Sequence, residues 1–340
     1  MAEKKILLVG PYNPRKCGIA AHIIQLESAL KNEGWVVDIL SPNDCEGTYH
    51  ENLRGGFNVI KILKYTSKYE RINIHFSPEQ FFYMGQNPLR MFNIFTLLSL
   101  CLLFWMAKNS NFVMHEQPTT RFFFQHTFLH KLIWSQVPQI TFFTRRELEI
   151  FERKFDIIFR ADQCKIEEVN KNFQQFSNLT KENARYKLNV DQNKIVFLCI
   201  GFIKENKGFD RIAKIFSEDN YENSDLYIVG SVRLEGDNKE KEYFEMLSDI
   251  CNKVDNIHLI SQYLSYEDFD TWIIAADYIV IPYRRISNSG VLGRAKIINR
   301  SAIVSNIGGL CDQIDHNDLL FSNDIELKNI VSRIDTLNLE

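Results

Sequence analysis

The chain has 340 residues, 45% of them apolar and 24% charged, which is length and composition for two soluble globular domains with sizeable cores. Its formal net charge of −3 argues against bulk nucleic-acid binding. Seven cysteines, widely scattered and with no C-x-x-C pair, form no disulfide framework and point to a reducing cytosol. The charge is uneven. Residues 1–190 carry 24 Lys and Arg against 18 Asp and Glu, and residues 191–340 carry 16 against 25. A basic first half suits an anionic surface or ligand on that side, through an attraction that salt would screen.

In chain order, the opening MAEKKILLVGPYN has too short an apolar stretch for a signal peptide. KILLVG (5–10) reads as a strand, GIAAHIIQLESALKNEG (18–34) as a helix closed by Gly34, and WVVDILS (35–41) as a second strand. RINIHFS (71–77), a helix near 88–107, NFVMHE (111–116) and QITFFT (139–144) continue the alternation. Within that helix, residues 91–107 form an apolar run at the lower edge of membrane-spanning length, interrupted by Asn93, Thr96 and Ser99. It is expected to be a buried or membrane-facing helix rather than a span.

Polar, loop-like sequence follows from about 170 to 193. A second series then runs KIVFLCIG (194–201), a helix near 207–217, DLYIVG (225–230), a charged helix near 237–253, NIHLIS (256–261), a helix near 266–276, DYIVIPY (277–283), a helix after Ser289 ending near Asn299, and SAIVSNI (301–307). Strands alternating with helices imply parallel sheets covered on both faces. The expected fold class is α/β: two doubly wound, Rossmann-like domains over residues 1–185 and 186–340, facing a central cleft.

Ligands of such sheets sit at the carboxyl ends of strands, so the loops there are the candidates for chemistry. GPYNPRKCGIAAH (10–22) lacks G-x-G-x-x-G spacing, but Gly18 opens a helix where a ligand can approach the backbone. In GFIKENKGF (201–209) the strand ends at Gly201, and Lys204 and Lys207 stand near the next helix start, where a cation opposes the helix dipole. Two ammonium groups beside free backbone donors make a phosphate cradle; a solvated charged loop is the plain alternative. IPYRRISNSGVLGRA (281–295) offers Ser287, Asn288 and Ser289 as N-caps, with Gly290 allowing close approach. A plain capped helix accounts for those residues but not for Arg284, Arg285 and Arg294 around them. His75 and His115 stand at strand ends, and His115, beside Glu116, is the better candidate of the two for a cleft-facing role. The histidines show no i, i+4 pairing and the cysteines no pairs, so neither a metal nor another cofactor is expected.

Taken together, FLCIGFIKENKGFDRIAKIF, AADYIVIPY, SGVLGRA and SAIVSNIGGL in the second half, with GPYNPRKCGIAAH and VMHE in the first, resemble the family 4 glycosyltransferases, retaining enzymes of the GT-B fold. The resemblance spans most of the chain, with gaps around 42–70 and 117–185. It implies a nucleotide-sugar donor held mainly by the second domain and a glycan or lipid-linked acceptor held by the first. It assigns Gly18 to the glycine loop, His115 to the donor sugar and Lys207 to the diphosphate. Gly201, Lys204 and the turn Asn288, Ser289, Gly290, Val291 and Leu292, with Arg294 beyond it, complete the donor side, and no metal is required.

Three departures stand out. Phe202 takes the place of an arginine after Gly201, with Lys204 a possible compensation. Ile286 and Arg294 replace the family's two glutamates, and an arginine accepts no hydrogen bond from a ribose. The chain after Ile325 is short for the helix that in the family crosses back to the first domain. The resemblance implies a cytoplasmic enzyme, peripheral on the inner face of the membrane, in surface polysaccharide or glycolipid synthesis. The rival readings are a non-catalytic relative that binds nucleotide or carbohydrate or scaffolds a partner, and a nucleotide-sugar epimerase on the same fold.

Overall fold

A computed structural model describes residues 3–84, 89, 92–116, 127–232, 238–286 and 288–336. The chain forms two compact units, 1–173 and 174–340. In the first, β1 (Lys5–Val9), α1 (Gly18–Asn32), β2 (Val36–Ser41) and β3 (Tyr49–His50) precede a 3₁₀ segment at Asn58–Lys64. There follow β4 (Arg71–Phe76), α2 (Pro78–Phe81), α3 (Asn93–Met106), β5 (Ser110–Met114), α4 (Thr127–Trp134), β6 (Gln139–Phe142), α5 (Arg145–Phe155) and β7 (Cys164–Ile166). The strands are all parallel, in the order β3-β2-β1-β4-β5-β6-β7.

The second unit holds α6 (Lys181–Leu188), β8 (Ile195–Ile200), α7 (Phe209–Glu218), β9 (Ser224–Gly230), α8 (Asn238–Cys251), β10 (Ile257–Ser261), α9 (Tyr266–Ala275), β11 (Tyr278–Ile281), α10 (Gly290–Ile297), β12 (Ser301–Ser305), β13 (Leu319–Phe321) and α11 (Asp324–Thr336). Its strands are also parallel, ordered β10-β9-β8-β11-β12-β13. Every residue of β8 and β9 is buried, as central strands covered on both faces must be. In each sheet the strand order reverses beside the first strand, between β1 and β4 and between β8 and β11. The loops leaving those strands therefore flank the crevice where such sheets take ligands.

The division falls between Phe173 and Gln174, ahead of the expected boundary at 185 and 186. The reason is α6, which the polar sequence of 170–193 hid as a loop. Thr180 caps it, its hydroxyl accepting from Asn183 N at 3.3 Å, and Asn189 closes it in the left-handed conformation. Beside the small Ala184, its buried anchor is Arg185, which donates to the carbonyls of Ala275, Asp191, Gln192 and Lys194 and to Asp277. Ala184 packs with Ile274 and Ala275 of α9, so the helix belongs to the second unit.

The α3 helix is buried on one face and exposes an apolar one, and its polar residues lie inside. Asn93, Thr96 and Ser99, the apparent interruptions, face the protein interior. Asn93 exchanges two hydrogen bonds with the backbone of Tyr83, and the Ser99 hydroxyl donates to Gly56 O. The outward side instead carries Phe92, Phe95, Leu98, Leu102, Trp105 and Met106, with Leu98 53% and Trp105 67% exposed. No helix among the described residues is long and apolar enough to cross a membrane. Residues 88, 90 and 91, part of the expected helix, lie outside the described residues.

Candidate functional site

The second unit's site is built from the loops after β8 and β11. Gly201 leaves β8 with φ of 120°, and a Cβ at Gly230 would stand 1.7 Å from the Gly201 carbonyl oxygen, so glycine lets the two strand ends close together. The chain then makes a 3₁₀ turn, Glu205–Lys207, ending at Gly208. There φ is 64° and a Cβ would meet Pro282 O at 2.2 Å, so the turn is pressed onto the end of β11. Arg284 fastens it. Its amide donates to Asn206 O (2.9 Å), its Nη1 to Glu205 O (2.9 Å), and both terminal nitrogens to the buried Asp210 carboxylate, each at 2.7 Å. Burial alone would raise the Asp210 pKa, but the Arg284 guanidinium, with Tyr243 and Lys214, brings it below the ordinary value.

This clamp holds Lys207 with its Nζ 3.8 Å from the centroid of the Tyr283 ring. Burial, and then the charge of Lys204, push the ammonium pKa down to about 7. The Tyr283 π-face favours the cation, but it cannot replace lost water. An anion arriving here would meet a poorly solvated positive charge, which is the condition for a strong interaction.

Across the same crevice, Ser289 caps α10. Its hydroxyl accepts from Leu292 N at 3.2 Å, and its own peptide is gripped by Gln313, which accepts from Ser289 N (2.7 Å) and donates to Ser289 O (3.2 Å). Leu292 N is thus satisfied and Gly293 N bonds Ser289 O, while the amides of Gly290 and Val291 lie in the first turn, where no intrahelical acceptor exists. Val291 Cγ2 lies 3.7 Å from where a Cβ on Gly201 would be, so the glycine loop and the helix end adjoin. Asn288 is half-buried beside them, and Ser287 lies outside the described residues.

The structure therefore brings Gly201, Lys204, Lys207 and Ser289–Leu292 to one crevice, and corrects the reading of the basic residues around them. Lys204 is already paired, its Nζ 2.7 Å from Glu240 Oε1. Arg284 is spent on Asp210. Arg294 is buried, with Nε 2.5 Å from Asp270 Oδ1 and Nη2 3.1 Å from Gln174 O, and it lies over the Phe176 and Tyr266 rings. Two of the three clustered arginines are thus structural. Sequence reasoning passed over Tyr283, Gln313 and Asp210, whose roles depend on contacts between residues up to 76 positions apart.

In the first unit Gly18 is the first residue of α1, and a Cβ there would meet nothing within 4 Å, so no protein packing demands the glycine. His75 on β4 and His115 after β5 converge as expected of strand ends, with His75 Nδ1 and His115 Nε2 3.0 Å apart. A third ring, His22 of α1, joins them, its centroid 5.5 Å from that of His75 and 5.1 Å from that of His115. The linear spacing gave no sign of this group. Burial lowers all three pKa values, that of His22 to about 4, where the charge of Glu167 opposes the fall.

Residues 180–338 match the model of the family described as Glycosyl transferases group 1. Solved structures align over nearly the whole chain. Sucrose-phosphate synthase from Thermosynechococcus elongatus has a TM-score of 0.71 at 16% identity, covering 99% of this chain and 91% of its own. A glycosyltransferase from Rickettsia africae has 0.71 at 14%, covering 99% and 89%. Anabaena HepE in complex with UDP-glucose has 0.66 at 13%, covering 98% and 91%. No curated protein sequence matches the chain. The fold is GT-B, each of its units a Rossmann-like sheet.

Proposed function

We propose that the protein is a retaining, family 4 glycosyltransferase that moves a sugar from a nucleotide-sugar donor to a glycan or lipid-linked acceptor. One observation carries the reading: a desolvated lysine, Lys207, is clamped beside the capped N-terminus of α10 at the strand-order reversal of the second unit. Breaking a sugar–diphosphate bond builds negative charge on the leaving group. Lys207 and the Gly290 and Val291 amides would meet that charge without reorganising. The family match of residues 180–338, and the UDP-glucose bound by HepE, support a nucleotide sugar as donor. His115 is assigned to the donor sugar, Gly18 to the loop beside it, and transfer is proposed to need no metal.

The test is turnover and calorimetry with UDP-, ADP- and GDP-sugars. At least one should bind and release its nucleoside diphosphate in the presence of EDTA. Its diphosphate diester does not titrate near neutrality, so pH reports on the protein. The Lys207 ammonium is present below its pKa of about 7 and lost above it, so donor affinity should be full at pH 6 and about fivefold weaker at pH 8 than at pH 7. Affinity flat across that range would remove Lys207 from the site. A donor that binds but never turns over would favour the scaffold reading, which the missing acids at Ile286 and Arg294 also motivate.

Placement on the cytoplasmic face of a membrane, in surface polysaccharide or glycolipid synthesis, belongs to the same proposal. Its support is the apolar outer face of α3, extended by Phe57 and by Phe128 and Leu132 of α4. Scattered apolar residues are ordinary on a surface; a contiguous helical stripe of them is not. The protein should sediment with anionic vesicles at low salt. Leu98→Glu with Trp105→Glu should lower the bound fraction about tenfold or more, since each buries an apolar side chain worth roughly 1.5–3 kcal/mol. Unchanged sedimentation of the double variant would show that this face does not meet the lipid.

A further inference from the structure

We infer that His22, His75 and His115 form a binding site for a single first-row transition ion of the zinc, cobalt or nickel type. One nitrogen from each ring lies within 4.8 Å of the other two. A tetrahedral ion with arms near 2.05 Å holds its nitrogens about 3.3 Å apart. His75 Nδ1 and His115 Nε2 are already 3.0 Å apart, so closing the triad takes a shift of roughly 1.5 Å or less in the His22 ring. Ring centroids separated by 5.1–5.5 Å in all three pairs agree with three imidazoles arranged around a common point.

The surroundings favour this use. His22 Nδ1 is buried and lacks a hydrogen-bond partner, which is unusual for a buried polar atom, while His75 faces the group with Nδ1, whose bond to His115 Nε2 an ion would replace. The three rings are held from separate elements: His22 by α1, His75 by β4, and His115 by its amide bond to Phe76 O at 3.1 Å. Glycine at position 10 lets the end of β1 close on His75, whose Cβ would be 3.3 Å from a Cβ there. Phe143 walls the group, its ring 5.3 Å from that of His22 and 5.1 Å from that of His115. His115 is the partly exposed member and gives the way in. Three neutral imidazoles with no carboxylate among them select borderline ions over calcium or magnesium, and leave a fourth position for solvent.

The binding site rests on these rings alone. Its consequence for transfer rests on the assignment of His115 to the donor sugar, because a ring nitrogen bound to metal is lost to a sugar hydroxyl. Untagged, EDTA-treated full-length protein should bind one equivalent of Zn²⁺ by calorimetry. Cobalt should give the ligand-field bands of a four-coordinate, nitrogen-rich site without thiolate charge transfer. His22→Ala and His75→Gln, checked for folding by circular dichroism, should each weaken binding at least ~100-fold, the upper range for losing even an outer partner of a ligand. Absence of stoichiometric binding, a thiolate band, or affinity unchanged in both variants overturns the site; the cobalt spectrum of the unaltered protein decides if the variants fail to fold. One equivalent of Zn²⁺ should also lower transfer tenfold or more, with recovery in EDTA. Zinc bound at this site with transfer unchanged would keep the site and remove His115 from the sugar.

Discussion

Lys207→Ala should lower kcat for sugar release by about 10²–10³-fold, the range for removing one preorganised donor to a developing anion. The protein should stay folded, and it should unfold at a higher temperature when the replacement is methionine. Both results follow from one fact: the ammonium sits half-buried over Tyr283, with a pKa drawn down to about 7 from 10.5. A lysine whose folded pKa lies below its unfolded value destabilises the fold fully below pH 7, and progressively less up to 10.5, where the effect ends. Wild-type stability should therefore rise with pH across that window through this group, while that of Lys207→Met should not. Lys204→Ala is the control, because its ammonium is shared with Glu240 and the loss should be tenfold or less. Thermal melts between pH 6 and 10 and donor hydrolysis together make the check. Full activity in Lys207→Ala would remove the diphosphate from this crevice.

Strands β1, β2, β4–β6 and β8–β12 and helices α1, α3 and α7–α10 could be read from periodicity because they bury apolar side chains on regular faces. β8 and β9 are continuous buried runs, and β1, β4 and β11 ended within two residues of where the pattern placed them. Helices α4, α5 and α11 were passed over although α5 and α11 bury apolar side chains, and other elements escaped because polar groups hold them. α6 is anchored by a buried arginine, so its sequence looks like a loop. The inner face of α3 is partly Asn, Thr and Ser, so its sequence resembles an interrupted span. The candidate site divides the same way. Lys207 and the Ser289 turn were legible because local chemistry marks them: cations at a helix start and capping residues. The triad was not, since His22, His75 and His115 meet only when α1, β4 and β5 are assembled. The purpose of the arginines was misread for the same reason. Their partners, Asp210 and Asp270, lie 74 and 24 positions away.

Arg294→Glu would restore an acid where the family resemblance expects one, and it should unfold the protein rather than activate it. Asp270 is fully buried, with its side chain 0% and that of Arg294 6% exposed. Beside Arg294, the amide of Phe176 also donates to its carboxylate, at 2.6 Å. Removing one member of such a pair leaves an uncompensated charge out of water, an effect of about 3–5 kcal/mol, and a second carboxylate adds repulsion. Asp270→Asn combined with Arg294→Met should recover more than half of that loss, because neither residue is then charged. A double-mutant cycle of urea midpoints separates the pair from its neighbours. If Arg294→Glu kept the wild-type midpoint, the ion pair would not hold this part of the fold. If it also raised turnover, the position would be one that reaches the nucleotide, and the departure at Arg294 would be an adaptation of the donor site instead of a structural exchange.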